Sequence, residues 1–194
     1  MENLYENLLQ RSNRVKYCVS NKMAQFDSET LNWKQTEKKW SIIEVVDHLN
    51  KVYDIYLPNF EEAITSAPEL NGKIQEKQQT IVGRLSVYAM KPKGKKRRFK
   101  MKTFDFFQPR INVESNKVLA EFNRKKQKFN DLIKGARNKN LVGIKMSTSL
   151  KLMRFYVPEC FDFILTHEER HLIQMEEILA NATQLNIQQV VIHH

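Results

Sequence analysis

All five glycines of this 194-residue chain, Gly72, Gly83, Gly94, Gly135 and Gly143, fall between positions 72 and 143. The first 71 and the last 51 residues contain none. Glycine in a helix interior costs roughly 1 kcal/mol relative to alanine, so two long glycine-free ends are where helices can grow. The apolar spacing agrees. Leu4, Leu8, Val15, Val19, Met23 and Phe26 recur at steps of three, four and seven, and predict an amphipathic helix over about 3–26. A polar loop with Trp33 and Trp40 follows, and Ser41-Ile42-Ile43-Glu44 then reads as a capping box. It opens a second helix, predicted to run to about Ser66 with Ile42, Val45, Leu49, Val52, Tyr56, Phe60 and Ile64 inward. Pro58 within it removes a backbone donor and predicts a kink. A third helix is predicted from about Ser115 to Lys134, with Val118, Phe122, Phe129, Leu132 and Ile133 inward and Gly135 as its C-terminal cap. The fourth opens near Val157-Pro158-Glu159, where proline suits a first turn. It continues through Phe161, Ile164, Leu165, Leu172, Met175 and Ile178 to about Thr183.

Four apolar stripes must cover one another, which predicts an all-α four-helix bundle forming one domain over 1–194. Residues 67–112 hold three of the five glycines, three of the five prolines and the densest basic run, with 12 of the 32 basic residues. They read as a long basic crossover with some extended structure, including a short β-hairpin near Thr80 to Phe107. The connection from Ala136 to Tyr156 is expected to be partly extended too, and 185–194 to be a tail.

The formal charge of +10 is concentrated. Residues 91–102 carry eight basic residues and no acid, and without them the chain stands at +2. An electrostatic partner should meet that segment and not the whole surface. Two cysteines, Cys18 and Cys160, form no C-x-x-C pair and no disulfide framework, which fits a reducing, cytoplasmic setting. No run approaches the roughly 18 apolar residues of a membrane span. The opening Met1-Glu2-Asn3-Leu4-Tyr5 lacks a signal-peptide layout, so no membrane partner is expected.

Of five histidines, His193 and His194 end the sequence as a tail or tag remnant. The other three lie on predicted core helices. His167 and His171 are one turn apart and share a face with Ile164, Met175 and Ile178, while His48 borders the stripe of the second helix. Three inward imidazoles suit a divalent metal, zinc or nickel, with positions left for water or substrate. The plainer alternative is three separately satisfied polar residues. His167-Glu168-Glu169-Arg170-His171 also satisfies H-E-x-x-H, which makes Glu168 a candidate general base. Gln174 stands where a metzincin has its helix-ending glycine, and the helix reads straight on. Three residues past His171, Gln174 is placed to hydrogen-bond a ligand or a water. Cys160, seven residues from His167 and about 10 Å along the axis, reads as core, and Trp33 and Trp40 as packing anchors.

Trp40-Ser41-Ile42-Ile43-Glu44-Val45-Val46-Asp47-His48-Leu49 resembles the W-S-x-x-E-V-x-x-H-L opening of helix two in the DinB/YfiT-like superfamily. Thr166-His167-Glu168-Glu169-Arg170-His171-Leu172-Ile173-Gln174 resembles that family's H-E-x-R-H-x-x-Q in its final helix. The resemblance implies a four-helix bundle holding a divalent metal through His48, His167 and His171. It further implies a homodimer and a small-molecule substrate, with activity as a metal-dependent hydrolase or as a transferase of a low-molecular-weight thiol such as bacillithiol or glutathione. The basic crossover matches no substrate element of that family.

Two other functions stay open at this point. A non-catalytic bundle would bind nucleic acid or another polyanion through 91–102, with Phe99, Phe104, Phe106 and Phe107 to stack on bases. A metal kept only for structure would be expected to have four protein ligands.

Overall fold

The computed structural model describes residues 2–71, 78–94, 103–149 and 153–192. Gly72, residues 95–102 of the basic run, His193 and His194 lie outside them. The elements in chain order are α1 (Glu2–Tyr17), α2 (Ser28–Asn32), α3 (Ile42–Thr65), α4 (Ile81–Met90), α5 (Ser115–Ala136), β1 (Lys145–Ser147), β2 (Arg154–Tyr156) and α6 (Val157–Ile192). α1 continues through a π turn at Cys18–Lys22 and a 3-10 turn at Met23–Gln25, so the first predicted helix exists with a changed winding at its end.

The bundle is formed by α1, α3, α5 and α6, with α3 lying along α5 and both α1 and α3 also meeting α6. Every inward position predicted for the second helix is buried. Its capping box is complete: Glu44 N donates to Ser41 Oγ at 3.2 Å, and Ser41 N donates to Glu44 Oε2 at 2.9 Å. α3 then runs through Pro58 to Thr65. In the core, Phe60 of α3 stacks on Phe161 of α6 at 4.1 Å and 11°, and Phe129 of α5 meets both edge-on at 5.7 and 5.4 Å. Such pairs add about 0.5–1.5 kcal/mol each beyond the area they bury.

Three expectations are corrected. Gly135 is not a cap, because α5 passes it to Ala136 and ends on Arg137 in right-handed helical conformation. Within the stretch where a short hairpin was expected, Thr80 to Phe107, the described residues form α4 over Ile81–Met90 and a 3-10 turn at Asp105–Phe107, and 95–102 lie outside the described residues. β-branched Ile81, Val82 and Val87 favour a strand locally, but tertiary anchoring overrides that preference. Thr80 caps α4 through Gly83 N at 2.9 Å, and both Thr80 N and Thr80 Oγ1 donate to buried Glu159 of α6, at 2.9 and 3.1 Å. Gly83 leaves room there for the Glu159 carboxylate, which a Cβ at that position would have to displace. Finally, α6 does not stop near Thr183 but continues to Ile192, through a stretch with no glycine or proline to end it. The extended structure expected in the second connection is present as the antiparallel β1–β2 pair, with Met146 opposite Phe155 on its buried side.

Candidate metal centre

His48 sits in the second turn of α3, and His167 and His171 project one turn apart from α6. Bundle packing brings them together. His167 Nε2 lies 3.3 Å from His48 Nε2 and 3.0 Å from His171 Nε2. The three nitrogens that could bind an ion all fall within 4.8 Å of one another.

Backbone and side-chain acceptors set the tautomers. His48 Nδ1 lies 2.8 Å from the carbonyl oxygen of Phe107, which can only accept, so the proton is on Nδ1. His171 Nδ1 likewise donates to Gln174 Oε1 at 3.1 Å. The Nε2 lone pairs of both rings are therefore left pointing at the cluster centre. Burial holds the imidazole of His48 below its ordinary pKa, against the pull of the Phe107 carbonyl. Burial first, and then the neighbouring imidazoles, hold His167 and His171 well below theirs. His167 Nδ1 is buried with no hydrogen-bond partner, so that ring can hold its proton on Nδ1 and offer Nε2 as a third donor to the same point. Tetrahedral zinc with bonds of about 2.0–2.1 Å puts its nitrogens about 3.3 Å apart, the spacing of the His48–His167 pair, while His167 and His171 stand at 3.0 Å and the whole set lies within 4.8 Å. The donor set fits a divalent ion, and among the described residues no fourth such ligand joins it.

The outer supports were only partly legible. Gln174, singled out as a hydrogen-bonding residue past His171, takes the Nδ1 proton of that ring. The Phe107 carbonyl was not foreseen, because a backbone acceptor 59 positions away leaves no local pattern. Its placement follows from the residue next to His48: buried Asp47 accepts from Arg110 N at 2.7 Å and Arg110 Nε at 2.9 Å. That clamp holds the 105–107 turn against α3. An acidic residue beside a predicted ligand and a distant arginine were the available signals.

Glu168 is brought elsewhere. Its carboxylate accepts from Tyr53 Oη and from Lys126 Nζ at 2.5 Å, deep between α3, α5 and α6. It does not line the cavity beside the histidines. The candidate base is thus a buried ion-pair member, because one position along a helix turns a side chain by about 100°. Cys160 is core, as expected, and its thiol is pushed up by burial.

That cavity measures about 550 Å³. Trp33, Trp40, Phe104, Phe107, Phe163 and Ile178 supply apolar walls, Lys38, Lys39 and Arg170 supply positive charge, and Glu177 supplies one negative charge. Trp40 is more than a packing anchor: its ring lies 5.1 Å from His48 and 6.5 Å from His171, shielding one side of the cluster.

A family model described as the DinB superfamily matches residues 21–175, a span that includes all three histidines. No curated protein and no solved structure matches the chain.

Proposed function

The chain belongs to the DinB superfamily, and from that premise we propose that it is a metal-dependent enzyme acting on a small molecule. In this reading a divalent ion, zinc or nickel, is held by His48, His167 and His171. The observation that carries the reading is the convergence of three neutral Nε2 atoms beside a 550 Å³ cavity. An ion with three protein ligands keeps an open position, and its chemistry there is to acidify a water or a thiol so that either becomes a nucleophile near neutral pH. The two outcomes are a hydrolase and a thiol S-transferase of the bacillithiol or glutathione type.

The chain's own groups prepare that chemistry. The Phe107 carbonyl and Gln174 fix the proton on Nδ1 of His48 and His171, which orients each Nε2 inward. Trp40 and Phe107 exclude bulk water from one side of the cluster. Lys38, Lys39 and Arg170 offer positive charge to an anionic part of the substrate, and the aromatic walls take an apolar part.

The test is to load untagged protein with cobalt(II) and titrate it with bacillithiol or glutathione. A thiolate-to-cobalt absorption band that appears in the wild type and is lost in His48→Ala supports the transferase. Loading that depends on His48 without such a band, together with ester or amide turnover, supports the hydrolase. Failure of the wild type to take up metal removes the whole reading.

A further inference from the structure

The outward face of α4 and its charge are not used by the metal centre. Ile81, Val82, Leu85 and Tyr88 are 71, 52, 59 and 59% exposed. They occur at steps of one, three and three, so they form one apolar stripe on a ten-residue helix. The other sides of α4 are committed: Thr80 and Gly83 are pinned on Glu159, and Ser86, Ala89 and Met90 line the cavity. Exposed Arg84, Lys91 and Lys93 flank the stripe. In the sequence, positions 77–104 hold ten basic residues and no acid, and the rest of the chain holds 22 of each sign. The whole net charge of the protein is therefore carried by the stretch around this helix.

We propose that the exposed face of α4, with Arg84, Lys91 and Lys93, docks on the surface of an anionic lipid bilayer. An apolar stripe edged by basic residues is the pattern that lies in a bilayer interface, with aliphatic groups below the headgroups and cations among the lipid phosphates. No helix among the described residues is long and apolar enough to cross a membrane, so the contact is peripheral. It departs from the expectation of no membrane partner, which rested on the lack of a spanning run and of a signal-peptide layout and took no account of the exposed face of α4.

Two other occupants fit less well. A second copy would set Arg84, Lys91 and Lys93 against themselves in an isologous contact. A ten-residue helix face, roughly 15 Å by 10 Å, also falls far short of the about 800 Å² per partner of a standard protein interface. A nucleic acid would use the charge but not the exposed Ile81, Val82 and Leu85. The described aromatics near the run, Phe104 and Phe106, stack on each other at 5.6 Å and 5°. Lipid uses both the charge and the aliphatic groups. Because α4 also forms part of the cavity wall, docking would bring the cavity close to the bilayer.

The test is co-sedimentation of the full chain, with and without metal, on phosphatidylcholine vesicles containing about one third phosphatidylglycerol, against pure phosphatidylcholine. Affinity for the anionic vesicles should be at least about tenfold higher and should fall with salt. Leu85→Glu and Ile81→Glu should each weaken it by about tenfold or more, with the far-ultraviolet circular dichroism and metal content unchanged. Absence of binding at low salt overturns the proposal, as does unchanged vesicle binding in Leu85→Glu. So does tighter binding of a single-stranded oligonucleotide that Leu85→Glu does not affect, which would point to nucleic acid. A concentration-dependent dimer abolished by Leu85→Glu overturns it in favour of a second copy. The metal-free arm keeps the result independent of the metal centre.

Discussion

Lys126 of α5 is fully buried, and its ammonium lies 2.5 Å from Glu168 Oε2. Its charge stays in the core only because that carboxylate is there, and the carboxylate also receives the hydroxyl of Tyr53. Replacing Lys126 with Met keeps most of the volume and leaves Glu168 as a buried anion with one neutral donor. Removing one partner of such a pair typically costs about 3–5 kcal/mol, a large part of the roughly 5–15 kcal/mol that holds a domain together. With a urea m-value of about 2–3 kcal/mol/M, the midpoint should fall by about 1–2.5 M. Urea unfolding followed by circular dichroism in excess chelator is the assay, because bound metal would otherwise add its own stabilisation. The double variant Lys126→Met/Glu168→Gln removes the stranded charge and should recover at least half of the loss. The deficit should also depend on pH. Burial already raises the Glu168 pKa, and Lys126 is the main group opposing that rise. In Lys126→Met the folded-state pKa rises further above the unfolded value, so the folded state binds the extra proton. The deficit is then greatest near neutral pH and shrinks as pH falls towards the ordinary carboxylate range. A loss below about 1 kcal/mol, or a double variant no better than the single, would refute this reasoning.

Further predictions concern the site's supports and the core. Gln174→Ala frees the His171 ring and should lower zinc affinity by about 10–100-fold in a competition titration with a chromophoric chelator; unchanged affinity would mean the hydrogen bond does not orient the ring. Arg110→Met should weaken zinc binding through the Phe107 carbonyl without abolishing it, and backbone hydrogen exchange at 105–110 should quicken. Gly83→Ala forces α4 away from Glu159 and should cost about 1–3 kcal/mol, with limited proteolysis appearing first within 78–94. Phe60→Ala empties the centre of the aromatic cluster and should cost about 3–5 kcal/mol in urea unfolding.

The parts legible in the sequence share a physical reason. α3, α5 and α6 are long, so each apolar stripe repeats often enough to stand above noise, and the Ser41–Glu44 box marks its helix start by a local contact. The histidine pair was legible because one helical turn fixes its geometry without reference to the rest of the fold. His48 was joined to that pair by its inward position and by the family resemblance of Trp40 to Leu49, not by local spacing. Its distance to His167 is set by how α3 and α6 cross, which no local spacing encodes. α4 was misread for a related reason: Ile81, Val82 and Val87 favour a strand, and what anchors their helix is Glu159, 79 residues from the Thr80 it holds. Glu168 shows the limit of a motif. H-E-x-x-H was satisfied in letters, but the buried amine of Lys126 claims the carboxylate.

The central claim is that one ion joins α3 to α6 through three imidazoles. X-ray absorption at the metal edge, on untagged protein loaded with one equivalent of zinc, tests it directly. The expected spectrum has three imidazole nitrogens at about 2.0–2.1 Å plus a light-atom ligand from solvent, with one nitrogen lost in His48→Ala. A spectrum of zinc bound by two or fewer imidazoles, or one unchanged in His48→Ala, would contradict it.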